Sequence, residues 1–181
     1  MAMPFNDVLT FWFDELTPGQ HFKKDARVDR AIRERFSDTH GAAAKGELFG
    51  WRETPQGRLA EIIVLDQFSR NLYRDDPRAF AQDGMALILA QEALRAGADQ
   101  GMPAEQKAFL YMPWMHSESL AIHETALELF DQPGLENNLK FERKHLDTLK
   151  RFGRYPARNA ALGRASTAEE QTFLKDNPAG F

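Results

Sequence analysis

The stretch Thr54-Pro-Gln-Gly-Arg-Leu-Ala-Glu-Ile-Ile-Val-Leu-Asp-Gln-Phe-Ser-Arg-Asn71 decides the fold. Taken alone, its run Ile62-Ile-Val-Leu65 fits a buried strand as well as a helix. The flanks settle the matter. Thr54-Pro55 is an N-cap followed by a proline at the first helical position, where its missing N–H costs nothing. No other segment shows the period-two alternation that a partner strand would need. On a helical wheel Leu59, Ile62 and Ile63 share a face with Asp66 and Arg70, while Leu65, Phe68 and Leu72 lie opposite. The helix is therefore apolar nearly all round and central, with an Asp/Arg pair four residues apart on a buried stripe. Isolated buried charges are prohibitive, so the pair must satisfy each other and further partners.

Working outward, the same signals recur. Asn6-Asp7 offers a cap to a first helix that carries Phe5, Leu9, Trp12, Phe13 and Leu16 and stops at Thr17-Pro-Gly. Asp25 caps a second helix with Val28, Ile32 and Phe36 four apart, expected to end by Gly41. Residues 42 to 53 are consistent with either a helix end or a loop anchored by Leu48, Phe49 and Trp51. Asp76-Pro77 starts a long helix closed by Gly97. Pro103 opens a helix that Pro113 should break. Ser117 or Ser119 starts the next, with Leu120, His123, Leu127 and Phe130 at helical spacing. Leu135, Leu139, Leu146 and Leu149 mark another helix, with Gly153 just past its end. Ser166-Thr-Ala-Glu169 reads as a capping box for a last short helix, and the tail from about residue 176 reads as loose. About eight helices with short connections give an all-α fold of antiparallel helical hairpins, most simply one domain over residues 1–181.

Composition narrows the function classes. The chain has 181 residues, 43% hydrophobic and 28% charged, an ordinary balance for a soluble protein. No apolar run approaches the roughly 20 residues of a membrane helix. There is no basic, then apolar, leader of the secretory type, so a cytoplasmic protein is the plain reading. With no cysteine there is no disulfide, thiolate nucleophile or cysteine-ligated zinc. The net charge of −4 argues against nucleic acid as a partner. That charge is uneven. Between Lys140 and Arg164 eight basic residues stand against two acidic ones, so this segment carries +6 and the remainder −10. A basic segment on an acidic body fits an anion site or an internal salt-bridge partner.

The basic segment culminates in Arg151-Phe-Gly-Arg-Tyr-Pro-Ala-Arg-Asn-Ala-Ala-Leu-Gly-Arg164. Lys150 and Arg151 complement the negative end of the preceding helix dipole. Arg154, Arg158 and Arg164 lie beyond it in a shaped turn, where guanidinium forks suit carboxylate or phosphate. The first hypothesis is a pocket for a small anionic molecule or an acidic peptide end. Arg70, Arg74, Arg154, Arg158 and Arg164 would supply charge, with Asp66 beside Arg70. Asn71 and Asn159 would orient the ligand, and Tyr111, Trp114 and Tyr155 would wall the site. The second is an enzyme using His116 as acid/base, oriented by Glu118 or Asp66 at a helix N-terminus. The third is a helical adaptor for a protein partner. No metal and no cofactor is expected. His116 and His123 are seven apart, too far to chelate as an i, i+4 pair, and neither a phosphate-binding glycine loop nor a G-x-S-x-G turn is present.

Four ordered stretches resemble those of one family: Phe11-Trp-Phe13; Leu65-Asp-Gln-Phe-Ser-Arg-Asn-Leu-Tyr-Arg74 with Phe80 following; Tyr111-Met-Pro-Trp-Met-His-Ser-Glu118; and Arg151 through Glu170. On these the chain is similar to the bacterial domain-of-unknown-function 924 proteins over nearly its whole length. The resemblance implies an all-α, tetratricopeptide-like fold and brings no established activity. This chain departs from the family pattern in having Ser119 where an acidic residue is common, His123 where glutamine is common and Ala157 where histidine is common. A mechanism needing a second carboxylate beside Glu118, or a histidine in the arginine loop, is put in doubt by these changes.

Overall fold

The structure, a computed structural model, describes residues 1–178 and 180. The loose tail expected from about residue 176 thus falls partly outside the described residues. Helices dominate and no strand is present among those residues. The chain divides into two compact units. One comprises Met1–Arg74 with Arg78–Met102, and the other Asp75–Pro77 with the chain from Pro103 onward.

In the first unit, α1 (Phe5–Leu9) runs on into a π-helical turn over Thr10–Glu15. Short α2 (Pro18–Phe22) follows, then α3 (Ala26–Ala44), capped by the Asp25 carboxylate on the Arg27 N–H. Gly41 does not stop α3 as expected. A single glycine costs only about 1 kcal/mol inside a helix, and burial of Ala43 carries the helix onward to Ala44, after which Gly46, with a φ of 73°, makes the turn. The uncertain segment after it becomes a 3-10 turn over Phe49–Glu53.

The deciding stretch is α4 (Pro55–Ile63), capped by the Thr54 side chain on the Gly57 N–H. Gly57 is there for a steric reason: a Cβ would stand 2.0 Å from the Trp51 carbonyl oxygen. A π-helical turn over Val64–Phe68 joins α4 to α5 (Ser69–Leu72). Every residue of that turn is buried, as an apolar, central helix requires. Around it Phe11, Phe36 and Phe68 interlock with ring centroids 5.2 Å (Phe11–Phe36 and Phe36–Phe68) and 6.1 Å (Phe11–Phe68) apart. Each such buried ring contributes roughly 1.5–3 kcal/mol of transfer free energy. The helix expected from Pro77 starts later. Pro77–Ala79 forms a single 3-10 turn, and α6 spans Asp83–Arg95.

In the second unit, α7 (Ala104–Met115) runs through Pro113 instead of breaking there. Proline forfeits one backbone bond, but Ala108 to Met115 are all buried, and that apolar burial outweighs the loss. α8 (Leu120–Phe130) packs between α7 and α9 (Glu136–Phe152). Gly153, at φ 71°, closes α9 as its position foretold. The last helix, α10 (Ala168–Asp176), has its capping box at Thr167 and Glu170, one residue later than the pattern suggested.

Candidate functional site

The first unit holds Asp66, Arg70, Asn71 and Arg74. The one-turn spacing brings Arg70 Nη1 to 3.2 Å from Asp66 Oδ1 and 2.8 Å from the Asp66 carbonyl oxygen, as the wheel required. The same guanidinium forks onto Asp83, at 2.8 and 3.0 Å, and lies over the Phe80 ring. Asp66, 1% exposed, also accepts from Gln67 Nε2 at 2.6 Å. Arg74 clamps Asp29 through Nε and Nη2, and Asn71 Nδ2 donates to the same carboxylate at 2.8 Å. These residues thus join α3, α5 and α6 to one another, each charge meeting an opposite one. Asp29→Ala, which leaves Asn71 and Arg74 without that acceptor, is expected to cost about 1–2 kcal/mol in urea unfolding.

The second unit holds the arginine loop. Its residues turn inward onto their own carboxylates. Arg154 grips Glu170 in a bidentate pair at 2.7 and 2.8 Å and also donates to the Ala165 carbonyl. Arg164 grips Glu118 at 2.8 and 2.9 Å, and donates further to the Tyr155 carbonyl and Asn159 Oδ1. Asn159 is 1% exposed, and its amide is spent on Ser166, Glu170 and Arg164. It orients the loop itself. Arg158 lies over the face of Tyr155, 4.8 Å from the ring centroid, with Nη2 donating to the His116 carbonyl at 2.7 Å.

The electrostatics follow from these pairs. The Arg154 hydrogen bond, set against burial and helped by the Thr167 N–H, holds the Glu170 carboxyl at about 2. Burial would raise Glu118, but Arg164, the Tyr155 N–H and the charge of Arg158 together outweigh it and lower its pKa.

Three expectations about this unit need correction. His116 does not stand at a helix N-terminus. Because α7 continues through Pro113, His116 is the C-terminal cap of α7, and α8 begins only after Ser119. A C-terminus presents carbonyls and a negative dipole end, the wrong polarity for an anion. Tyr111 and Trp114, expected as walls, are 0% and 2% exposed and belong to the core, where Tyr111 meets Phe130 edge to face. Glu118 is occupied by Arg164 and by the Tyr155 N–H.

Sequence reasoning missed the most deeply buried polar group of this unit. His123 on α8 and Glu142 on α9 are both 0% exposed, with His123 Nδ1 2.5 Å from Glu142 Oε1. The other ring nitrogen lies 2.8 Å from the Ser117 carbonyl and 3.1 Å from the Tyr155 hydroxyl. Tyr155 gives its own proton to the Met115 carbonyl at 2.7 Å, so Nε2 must carry a proton and donate. His145, one turn along α9, is buried against Tyr155 and bonded to the Phe141 carbonyl. A signal for Glu142 was present: it completes the spacing Leu135, Leu139, Glu142, Leu146, Leu149 along the apolar stripe. His123 likewise sits on the buried stripe of α8 with Ala126 and Phe130. Among the described residues no group of three or more histidine, aspartate or glutamate side chains is placed to hold a metal ion.

The profile of the family described as bacterial protein of unknown function (DUF924) matches residues 8–178. The chain belongs to that family. It is also similar to the solved structure of a protein of unknown function from Agrobacterium tumefaciens, with 38% identity, a TM-score of 0.90, and 95% of this chain and 97% of that one covered. No functionally curated protein matches it. No helix among the described residues is long and apolar enough to cross a membrane.

Proposed function

We propose that the arginine end of the second unit receives a small anion, carboxylate or phosphate, free or as an acidic peptide end. The observation that carries this reading is the gathering of three guanidiniums in one short loop, with that of Arg158 held half-exposed. Arg154 and Arg164 are held by the carboxylates of Glu170 and Glu118, and the charge of Arg158 acts on Glu118 as well. Arg154 and Arg164 are the scaffold, since each spends its fork on a buried or half-buried glutamate. Arg158 is the recognition residue in this reading, half-exposed and oriented by the Tyr155 ring and the His116 carbonyl. A guanidinium fixed in this way has already lost the rotamer freedom that anion binding would otherwise cost. The lack of cysteine suits a reducing compartment, and the cytoplasm is the proposed location.

Thermal unfolding in inorganic phosphate, succinate and citrate is the test. A bound anion raises the melting temperature by mass action, and a rise of about 2 °C or more at 10 mM is expected from at least one of them. Arg158→Ala should melt close to wild type without anion and lose that rise. Absence of any rise, or a rise that Arg158→Ala leaves intact, rejects the reading.

A further inference from the structure

Where α8 turns into α9, the second unit holds a cleft of about 310 Å³. Phe130 and Leu139 supply its apolar lining, Asp131 and Glu136 its acidic side, and Lys140 and Arg143 its basic side. Helix periodicity accounts for half of this wall: Glu136, Leu139, Lys140 and Arg143 follow at i, i+3, i+4 and i+7, one stripe of α9. Phe130, 0% exposed, is the last residue of α8. The connection between the helices is tied down by Gln132, which also lines the cleft. Its amide donates to the Leu129 carbonyl at 2.6 Å and accepts from Lys107 Nζ on α7 at 3.2 Å.

The charges of the cleft are segregated. Asp131 and Glu136 stand at the turn, and Lys140 and Arg143 stand one and two helical turns further along α9, on the order of 5 and 10 Å by helical rise. Glu136 and Lys140 have the spacing of an intrahelical ion pair, yet the Glu136 carboxylate accepts from the Gly134 N–H at 3.0 Å instead. Among the described residues the side chains of Asp131, Lys140 and Arg143 make no ion pair or hydrogen bond. A simple anion in the cleft would meet Asp131 and Glu136, and a simple cation would meet Lys140 and Arg143. A neutral molecule would take water from all four charges and answer none. A molecule with a positive and a negative end answers both sides, while its carbon skeleton covers Phe130 and Leu139.

We propose that this cleft binds a small zwitterion whose ammonium and carboxylate are bridged by apolar carbon, an ω-amino acid or a dipeptide with an apolar side chain. Asp131 receives the ammonium. Arg143 takes the carboxylate in its fork, and Lys140 adds charge beside it. The volume stands at the lower end of the range for small-molecule sites, which suits a ligand of this size. The cleft shares no lining residue with the arginine loop, so the anion reading and this one stand or fall separately.

Amide chemical shifts of the full chain, followed by NMR during titration, test this with four probes: 6-aminohexanoate, glycyl-leucine, hexanoate and hexylamine. At least one of the two zwitterions should give saturable shifts within residues 130–143, with a Kd on the order of 1–10 mM. Whichever binds more tightly tells an amino acid from a peptide. Hexanoate and hexylamine each carry one of the two charges and should bind at least about 5-fold more weakly. Arg143→Glu, at an exposed position with no side-chain partner to lose, should weaken zwitterion binding by about 10-fold and bind hexylamine more tightly than the wild type does. That reversal is a comparison of probes within one protein, and a change in stability alone does not produce it. The proposal is overturned by the absence of saturable shifts there with either zwitterion up to about 50 mM. Equal affinity for a singly charged probe, or an Arg143→Glu protein that keeps the wild-type preference, overturns it as well.

Discussion

Glu142→Ala should be among the most damaging single substitutions in the second unit, costing about 3–5 kcal/mol in urea unfolding. Glu142 and His123 are both fully enclosed, and one carboxylate oxygen, Oε2, has no hydrogen-bond partner among the described residues. A pair already that constrained has nothing to offer when half of it is removed. Truncating Glu142 strands His123 Nδ1 away from water and leaves a cavity between α8 and α9, so the desolvation and packing penalties act together. The double variant His123→Leu with Glu142→Met should recover a large part of the loss, because apolar residues of similar volume often replace a buried ionic pair at little cost. Recovery will be incomplete, since the Ser117 carbonyl and the Tyr155 hydroxyl also lose the His123 donor. A single substitution costing under about 1 kcal/mol, or a double equal to the sum of the singles, would show that the pair does not act as a unit.

Removing Glu170 should produce the second large effect. This carboxylate ends the Arg154 fork, caps α10 through the Thr167 N–H and meets Asn159. It is 2% exposed, so none of these partners finds water in its place without local opening. Glu170→Ala is expected to lower the melting temperature by roughly 5 °C or more. The acid limb carries a separate signature. With a folded value of about 2 against an ordinary 4.5, Glu170 adds stability that is complete above pH 4.5 and is lost as pH falls from 4.5 to 2. Glu170→Gln should therefore unfold with a flatter pH dependence in that interval than the wild type. A wild-type protein whose stability is level from pH 4.5 to 2 would contradict the assignment.

These two effects show where reading the chain succeeded and where it stopped. Arg70 and Asp66 were paired from spacing alone because four residues make one helical turn, and their contact at 3.2 Å is a local consequence of that turn. Asp83, the further partner of Arg70, was not foreseen. It lies 13 residues on, across a loop and a 3-10 turn, and nothing periodic connects the two. His116 was misplaced for a different reason. Proline is a local signal for a break, yet the buried face of α7 extends past Pro113 and keeps the helix intact to Met115.

Helices, caps and buried stripes were therefore determined by the sequence itself, since each depends on residues within a turn or two of one another. The Thr54 cap, the φ-positive Gly153 and the apolar faces of α3, α4 and α9 are of this kind. What became of the arginines was decided only by tertiary structure. Arg154 finds Glu170 across 16 residues, Arg74 finds Asp29 across 45, and Arg164 finds Glu118 across 46. Guanidinium forks fit any carboxylate within reach, so composition leaves such partners open. Packing of the helices that carry the carboxylates selects the partner of each, and thereby turns Arg154 and Arg164 of the basic loop into scaffold.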